Sequence, residues 1–258
     1  MFPDGERRLR PRRRLAALGF ACALGFLGLD PSRGESDDDV ATANSLAAML
    51  RAARTVVSRH QAEINDPNVG DKGLTGMRAL AEAKTGYRQA TGEDADAVDP
   101  ATRRGRLLRM QMDAIKEVFD DNQSAINEKG VAFKGFIPAI FGRLVNESFG
   151  RRAGTEASVK VTAPPDLVRN LKAEPDSWEK QVIAGAFLKP GWPKGKAFSA
   201  LADANGRTAF RLASPEYYDA SCLSCHGKPK GDIDITGYPK EGRAAGDLGG
   251  VISIALYR

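Results

Sequence analysis

The chain has 258 residues, which is enough to bury one large hydrophobic core or two small ones. Hydrophobic residues make up 42% and charged residues 28%, both ordinary for a soluble globular protein. The formal net charge of +5 arises mostly at the N-terminus, because six of the 38 Lys and Arg residues but only two of the 33 Asp and Glu residues lie in residues 1–29. The rest holds 32 basic and 31 acidic residues, so the composition gives no reason to expect a nucleic-acid partner.

The N-terminal residues 1–30 have the pattern of a signal peptide. An arginine-rich start leads into an apolar run from Leu15 to Leu29 that is too short for a comfortable membrane span. We therefore predict an exported protein. No clean cleavage site of the A-x-A type is visible, so an uncleaved N-terminal anchor stays open as the one route to a membrane.

Residues 36–150 are predicted to be helical. Ser36 and the acidic residues after it are typical of a helix start, and the first helix should run to about Asn65. A second helix is predicted from about Thr75 to Thr91, a third from residues 99–100 to Gly130, and a shorter one after Pro138. The apolar spacing predicts two buried stripes, Leu46, Leu50, Ala53, Val57, His60 and Ile64 on the first helix and Met77, Leu80, Ala83 and Tyr87 on the second.

Residues 151–258 are predicted to form mainly sheet. A short strand at residues 159–162 precedes a helix at residues 175–187. Two strands, residues 196–204 and 207–213, flank Asn205-Gly206, which favours a tight hairpin turn, and a final strand covers residues 250–257. Helices followed by an antiparallel sheet indicate an α+β domain over residues 36–258, with a loop at residues 222–226 in its C-terminal part.

The most specific motif is Cys222-Leu-Ser-Cys-His226. In a C-x-x-C-H run the two thiols can add to the vinyl groups of a haem while the imidazole binds the iron. A redox dithiol and half of a zinc site are the alternatives. Zinc needs four ligands, and the chain offers one other His and one other Cys. A redox dithiol should open a helix, but a Gly- and Pro-rich segment follows here. We therefore predict one covalent haem c per chain, and its assembly outside the cytoplasm agrees with a periplasmic location.

Several segments carry a resemblance to a known family. They are Pro175-Asp-Ser-Trp-Glu179, the hairpin, Pro215-Glu-Tyr-Tyr218, the Cys motif and Gly246-Asp-Leu-Gly-Gly-Val-Ile-Ser-Ile254. Together they resemble a bacterial family of haem-c-binding domains with a PAS-like fold, whose members include stand-alone exported cytochromes and extracytoplasmic sensor domains. The match is good over residues 158–258 and looser over the helical half.

The resemblance implies a sheet with helices packed on it and a haem held between the sheet side and the N-terminal helices. A cyanobacterial branch of the family supplies a cysteine from the helical half as the second axial ligand. Apart from Cys222 and Cys225, the only cysteine here is Cys22 in the predicted signal peptide. Properties that depend on a cysteine-ligated iron therefore do not carry over.

His226 is the predicted proximal ligand, and the opposite side of the iron has three alternatives. These are His60, one of the methionines, or an open or water-bound position. The methionines, Met49, Met77, Met110 and Met112, have helical spacing that also fits core packing. Phe136 and Tyr218 are weaker candidates for the wall of the haem pocket. Arg169 and Lys228 are candidates for the propionates, although a solvated surface role is expected for each.

We expect a non-enzymatic, stand-alone haem protein that senses redox state or a ligand and acts through a separate signalling protein or redox partner. The alternative is a periplasmic electron-transfer cytochrome. A haem enzyme is a third reading, but it needs an open iron position and a distal acid or base, which His60 on the iron would remove.

Overall fold

The structure is a computed structural model that describes residues 36–258, so the predicted signal peptide lies outside the described residues. The first half is helical, and the second half carries the strands. In chain order the elements are α1 (Asp37–Arg59), α2 (Gln61–Ile64), α3 (Gly76–Thr91), α4 (Arg103–Asp121), α5 (Gln123–Asn127), α6 (Pro138–Ala153), β1 (Ala157–Thr162), α7 (Ser177–Val182), β2 (Phe198–Ala204), β3 (Arg207–Tyr217), α8 (Leu223–His226) and β4 (Leu248–Tyr257).

The four strands form one antiparallel sheet in the order β1-β4-β3-β2. β2 and β3 are the predicted hairpin, and Asn205 (φ 57°) and Gly206 (φ 79°) take the left-handed conformations that its turn requires. β4 pairs with β1 on one side and β3 on the other. The predicted mixture of helices and an antiparallel sheet is confirmed.

The main core lies between the helices and one face of this sheet. Alternate residues of β4, Ile252, Ile254 and Leu256, point into it and are fully buried against α1 and its neighbours. Burial of each such side chain contributes about 1.5–3 kcal/mol to the free energy of folding. A smaller core on the other face packs α7 against the sheet through Trp178 and Val182. The sheet is therefore covered on both sides.

The predicted helix boundaries are mostly confirmed. Thr75 caps α3 by accepting a hydrogen bond from the Arg78 backbone N–H, and Gly92 ends it with φ 76°. The predicted third helix is wrong in part, because it begins at Arg103 and is interrupted at Asn122.

Two further details of the helical prediction are wrong. The first helix is not continuous to Asn65, because His60 leaves helical geometry (φ −91°, ψ 7°) and separates α1 from α2. Met77 is 71% exposed rather than inward. The buried stripe of α3 runs instead through Ala79, Ala83 and Tyr87, and Met77 lies two residues, or about 200°, from that line.

Candidate functional site

The Cys222–His226 motif forms a single helical turn rather than a loop. Asp219, just after β3, accepts hydrogen bonds from the backbone N–H groups of Ser221 (2.8 Å) and Cys222 (3.3 Å) and so starts the turn. α8 then carries Cys225 and His226. Positions i, i+3 and i+4 of a helix share one face, so the turn places both sulfurs and the imidazole on the same side. Within the described part of the chain, neither cysteine forms a disulfide, and both are half-buried.

Nδ1 of His226 is held by a carboxylate, whereas Nε2 has no hydrogen-bond partner among residues 36–258. His226 Nδ1 lies 2.8 Å from Glu241 Oε2, so the ring donates its Nδ1 proton to the carboxylate. That tautomer leaves the Nε2 lone pair available to a metal. A carboxylate behind the imidazole fixes the ring orientation, as it does in established metal sites.

Arg169 connects Glu241 to the Cys222–His226 turn. Its guanidinium donates to Glu241 Oε1 (2.7 Å) and Oε2 (3.1 Å), to Asp234 Oδ2 (2.6 Å) and to the backbone carbonyl of Cys225 (3.0 Å). The Asp234 side chain is fully buried. Arg169 was expected on a solvated surface, and that expectation is wrong.

The charges in this network shift the carboxylate pKa values downward. Burial alone would raise the pKa of Glu241, but hydrogen bonds from Arg169 and His226 outweigh it and lower that pKa. Burial opposes ionisation of Asp234 as well. Hydrogen bonds from Thr236 and Arg169 nevertheless lower the pKa of Asp234 to about 2. Both carboxylates are therefore ionised at neutral pH.

The side chain of Tyr218 packs against the imidazole ring of His226. Its ring stacks on His226 with centroids 4.8 Å apart and an interplanar angle of 25°. Burial and the nearby charge of Glu241 raise the pKa of Tyr218 to about 12. A Cβ on Gly249 would lie 2.7 Å from the Tyr218 ring, so the glycine allows the close approach of the ring to β4. Tyr218 therefore lies next to His226, and its predicted place in the wall of a haem pocket stays a prediction.

Comparison with known proteins gives the family. The sequence model described as Tll0287-like: Tll0287 matches residues 36–256, nearly the whole described chain. The chain belongs to the Tll0287-like family. No curated protein and no solved structure matches the chain at the significance required.

Helix α1 of this Tll0287-like chain reaches the residue before the Cys222–His226 motif, but through Ser58 and not through His60. Ser58 Oγ lies 2.9 Å from Ser221 Oγ, next to Cys222. One turn earlier, Arg54 donates to Glu216 Oε2 (3.0 Å) at the end of β3, as Arg51 does to Oε1 (2.7 Å). This face of α1 therefore runs along the end of β3 toward the cysteines.

His60 is engaged elsewhere. Its Nδ1 lies 2.7 Å from Glu63 Oε2 and its Nε2 2.9 Å from Glu82 Oε2 on α3, so both ring nitrogens contact carboxylates. His60 is also about 200° around the helix from Ser58. As a second axial ligand, His60 would first have to give up a carboxylate partner.

The other candidates for the distal side lie mostly in the helical layer. Met49 and Met112 are buried in the core, Met110 packs against it, and Met77 is on the outer surface. Phe136 is 2% exposed and packs in a cluster with Phe119 and Phe141, at centroid distances of 5.3 and 5.7 Å. Its carbonyl accepts a hydrogen bond from Gln61 just after α1 (3.3 Å). Phe136 is therefore a core residue near the end of α1.

Glu241 and Asp234 were missed by reasoning from the sequence of the Tll0287-like chain. They lie in a charge-rich segment after the motif, and their partner Arg169 precedes them by more than 60 residues.

Among the described residues no group of three or more His, Cys, Asp or Glu is arranged to hold a bare metal ion. No helix within residues 36–258 has both the length and the apolar character needed to cross a membrane.

Proposed function

We propose that the chain is a c-type haem protein, with Cys222 and Cys225 as the attachment thiols and His226 Nε2 as the proximal ligand. The observation that carries the proposal is the pairing of His226 Nδ1 with Glu241, which leaves Nε2 free on the same helical face as both thiols. The bound haem would supply an iron that exchanges one electron or takes a small ligand. The PAS-like character of the sheet and export to the periplasm belong to the same proposal.

The residues around the motif suit this chemistry. Two free thiols three residues apart meet the requirement for two thioether bonds. Arg169 holds the Cys225 carbonyl and Glu241 together, so the short helix and the imidazole are positioned by one side chain. The stacked Tyr218 ring supports the imidazole from behind. These contacts explain how a one-turn helix can hold a fixed ligand direction.

The experiment is expression in a bacterium that assembles c-type cytochromes. The purified protein should be red and should keep its colour in acid acetone, because thioether bonds survive denaturation. The C222A/C225A variant should lose covalent haem, whereas S224A, on the same turn, should retain it. A colourless wild-type protein with two titratable thiols would refute the proposal.

We propose a sensing role first, because α1 is tied to the attachment segment. The Ser58–Ser221 contact and the Arg51 and Arg54 pairs with Glu216 connect changes near Cys222 to a long helix. Such a module would act through a separate signalling protein or redox partner. The second candidate is a periplasmic electron-transfer cytochrome. Reduced spectra with and without CO separate the two, because CO binding requires an exchangeable iron position.

A further inference from the structure

Arg169 uses every hydrogen-bond donor of its guanidinium, which has five N–H groups. Nε donates to Glu241 Oε1 (2.7 Å), and Nη2 donates to Glu241 Oε2 (3.1 Å) and to the Cys225 carbonyl (3.0 Å). Nη1 donates to Asp234 Oδ2 (2.6 Å) and to Thr236 Oγ1 (3.5 Å). All five donors of Arg169 are therefore directed at groups of its own chain.

Asp234 uses both oxygens of its fully buried carboxylate. Oδ1 accepts hydrogen bonds from the Thr236 backbone N–H (2.7 Å), the Thr236 hydroxyl (2.6 Å) and the Tyr238 backbone N–H (3.2 Å). Oδ2 accepts from Arg169. An asparagine has one carbonyl oxygen, so it would satisfy only one of these two sides and would turn its NH₂ group toward the donors on the other. The position therefore requires a carboxylate.

A short hairpin, residues 231–240, carries Asp234 and immediately precedes Glu241. The backbone N–H of Asp234 donates to the Tyr238 carbonyl across this hairpin (2.8 Å). The Tyr238 hydroxyl donates to the backbone carbonyl of Arg169 (3.3 Å). The hairpin therefore holds both the side chain and the backbone of Arg169.

Four side chains connect the hairpin to the imidazole in a continuous series of hydrogen bonds. Asp234 bonds Arg169, Arg169 bonds Glu241, and Glu241 bonds His226 Nδ1 (2.8 Å). In that order their side chains are 0%, 19%, 15% and 27% exposed. A polar network of this kind is rigid when each member has its partners. The acceptor of the Nδ1 proton is therefore fixed in place by residues that lie beyond it.

We propose that Arg169 and Asp234 are positioning residues that hold His226 in the Nδ1–H tautomer in the polypeptide alone, before any metal is bound. A neutral imidazole carries its proton on either nitrogen, and in water it is found mainly on Nε2. Arg169 and Asp234 reverse this preference through Glu241. The proposal rests on the proposed function for the role of Nε2 as an iron ligand, but the tautomer is a property of the chain without haem.

The test is the ¹⁵N NMR spectrum of the haem-free full protein labelled at histidine. The chain has two histidines, and the His60→Gln variant assigns the signals of His226. At pH 9, above the range in which histidine changes charge, the nitrogen shifts and their couplings to the ring protons distinguish the two tautomers. In the wild type the Nδ1–H form should exceed the Nε2–H form by about tenfold or more, as expected for a hydrogen bond to a charged acceptor.

Two variants test the positioning residues. Arg169→Gln removes the donors to Glu241 and to the Cys225 carbonyl, so the ratio of the two tautomers should fall by about tenfold. Asp234→Asn leaves Arg169 on Glu241 but releases its other end, so the ratio should fall by about threefold. Arg169→Lys should restore only part of the wild-type ratio, because an ammonium cannot serve all the acceptors of the planar guanidinium.

The matched control is Asp166→Asn, which removes the carboxylate partner of Arg243 (2.7 Å). Arg243 also lies at the site, since its backbone N–H donates to the His226 carbonyl (2.8 Å), but it does not bond Glu241. This variant should keep the wild-type ratio. The backbone amide spectrum shows which variants fold, and if Arg169→Gln does not fold, Asp234→Asn decides the question.

Three results would overturn the proposal. They are a haem-free wild type that is unfolded or mainly Nε2–H, an unchanged ratio in the folded variants of Arg169 and Asp234, and an equal fall in Asp166→Asn. Failure of the proposed function is distinguishable from these results. A wild type that never takes up haem but keeps the Nδ1–H tautomer would refute the haem assignment alone, because the NMR measurement does not need haem.

Discussion

Replacing Glu241 by Gln should raise the reduction potential of the proposed haem. Gln retains an oxygen that can accept the His226 Nδ1 proton, now 2.8 Å from Glu241, but it removes the negative charge behind the ligand. That charge stabilises the oxidised iron, which carries one more positive charge than the reduced form. Its loss should therefore disfavour oxidation.

The magnitude follows from Coulomb's law. The 2.8 Å hydrogen bond and the width of the imidazole would place the carboxylate about 7 Å from a metal on Nε2. At an effective dielectric constant of about 20, the interaction energy of two unit charges at this distance is about 2 kcal/mol. Arg169, bonded to the same carboxylate, offsets roughly half of this. We expect a rise on the order of 50 mV, taking about 59 mV per tenfold change in a one-electron equilibrium.

The assay is a spectroelectrochemical titration of the wild type and E241Q. The control is Asp232→Asn, which removes an equal charge from an exposed residue that does not contact His226. The reduction potential of this variant should shift by less than about 20 mV, because solvent screens the charge of Asp232. An unchanged or lower potential in E241Q would show that Glu241 does not act on the iron ligand.

Three further predictions concern stability and ligation. Gly249→Ala should displace the Tyr218 ring and lower the free energy of unfolding, measured in urea, by about 1–3 kcal/mol. Gly150→Ala in α6 should instead raise the free energy of unfolding by up to about 1 kcal/mol, because a Cβ there meets open space. The pKa of Asp234 is lowered to about 2 in the folded state, so its ionised carboxylate stabilises the fold by about 2 kcal/mol above pH 4. This stabilisation is lost as the pH falls toward 2. Asp234→Asn should therefore flatten this part of the pH profile of urea unfolding, and an unchanged slope would contradict the prediction. His60→Ala should leave the visible spectrum unchanged. It should lower the free energy of unfolding by about 1–2 kcal/mol, because His60 contacts Glu63 and Glu82. A change from a low-spin to a high-spin spectrum would instead identify His60 as the sixth ligand.

Local signals predicted much of the fold. The start of α3 near Thr75, the Asn205-Gly206 turn and the final strand were predicted from the sequence because each depends on a few neighbouring residues. Met77 was misplaced, because a stripe of small residues, which carries little hydrophobic signal, faces the core instead. The break at His60 coincides with contacts to Glu63 and Glu82, and Glu82 is distant in sequence.

Cys222, Cys225 and His226 could be proposed as attachment residues because three reactive side chains occur in one short motif, and that role stays a prediction. Their supporting network was not recognisable, since Arg169 meets Glu241 and Asp234 only after the sheet brings residues 65 to 72 positions apart together. The residues that pair with Arg169 are distant in the sequence, so it is expected at the surface until they are known. Tyr218, a pocket candidate from the sequence, lies next to His226, but its role in a pocket stays a prediction.

Asp219 bears on the order of events during biogenesis. Burial, together with this neighbouring carboxylate, raises the pKa of Cys222, so in the folded chain Cys222 is a protonated thiol that reacts slowly. The proposed attachment of haem should therefore take place before the polypeptide folds, while Cys222 is still in water. Alkylation of the haem-free chain should accordingly be faster in urea than in buffer, and equal rates would indicate that folding does not protect Cys222.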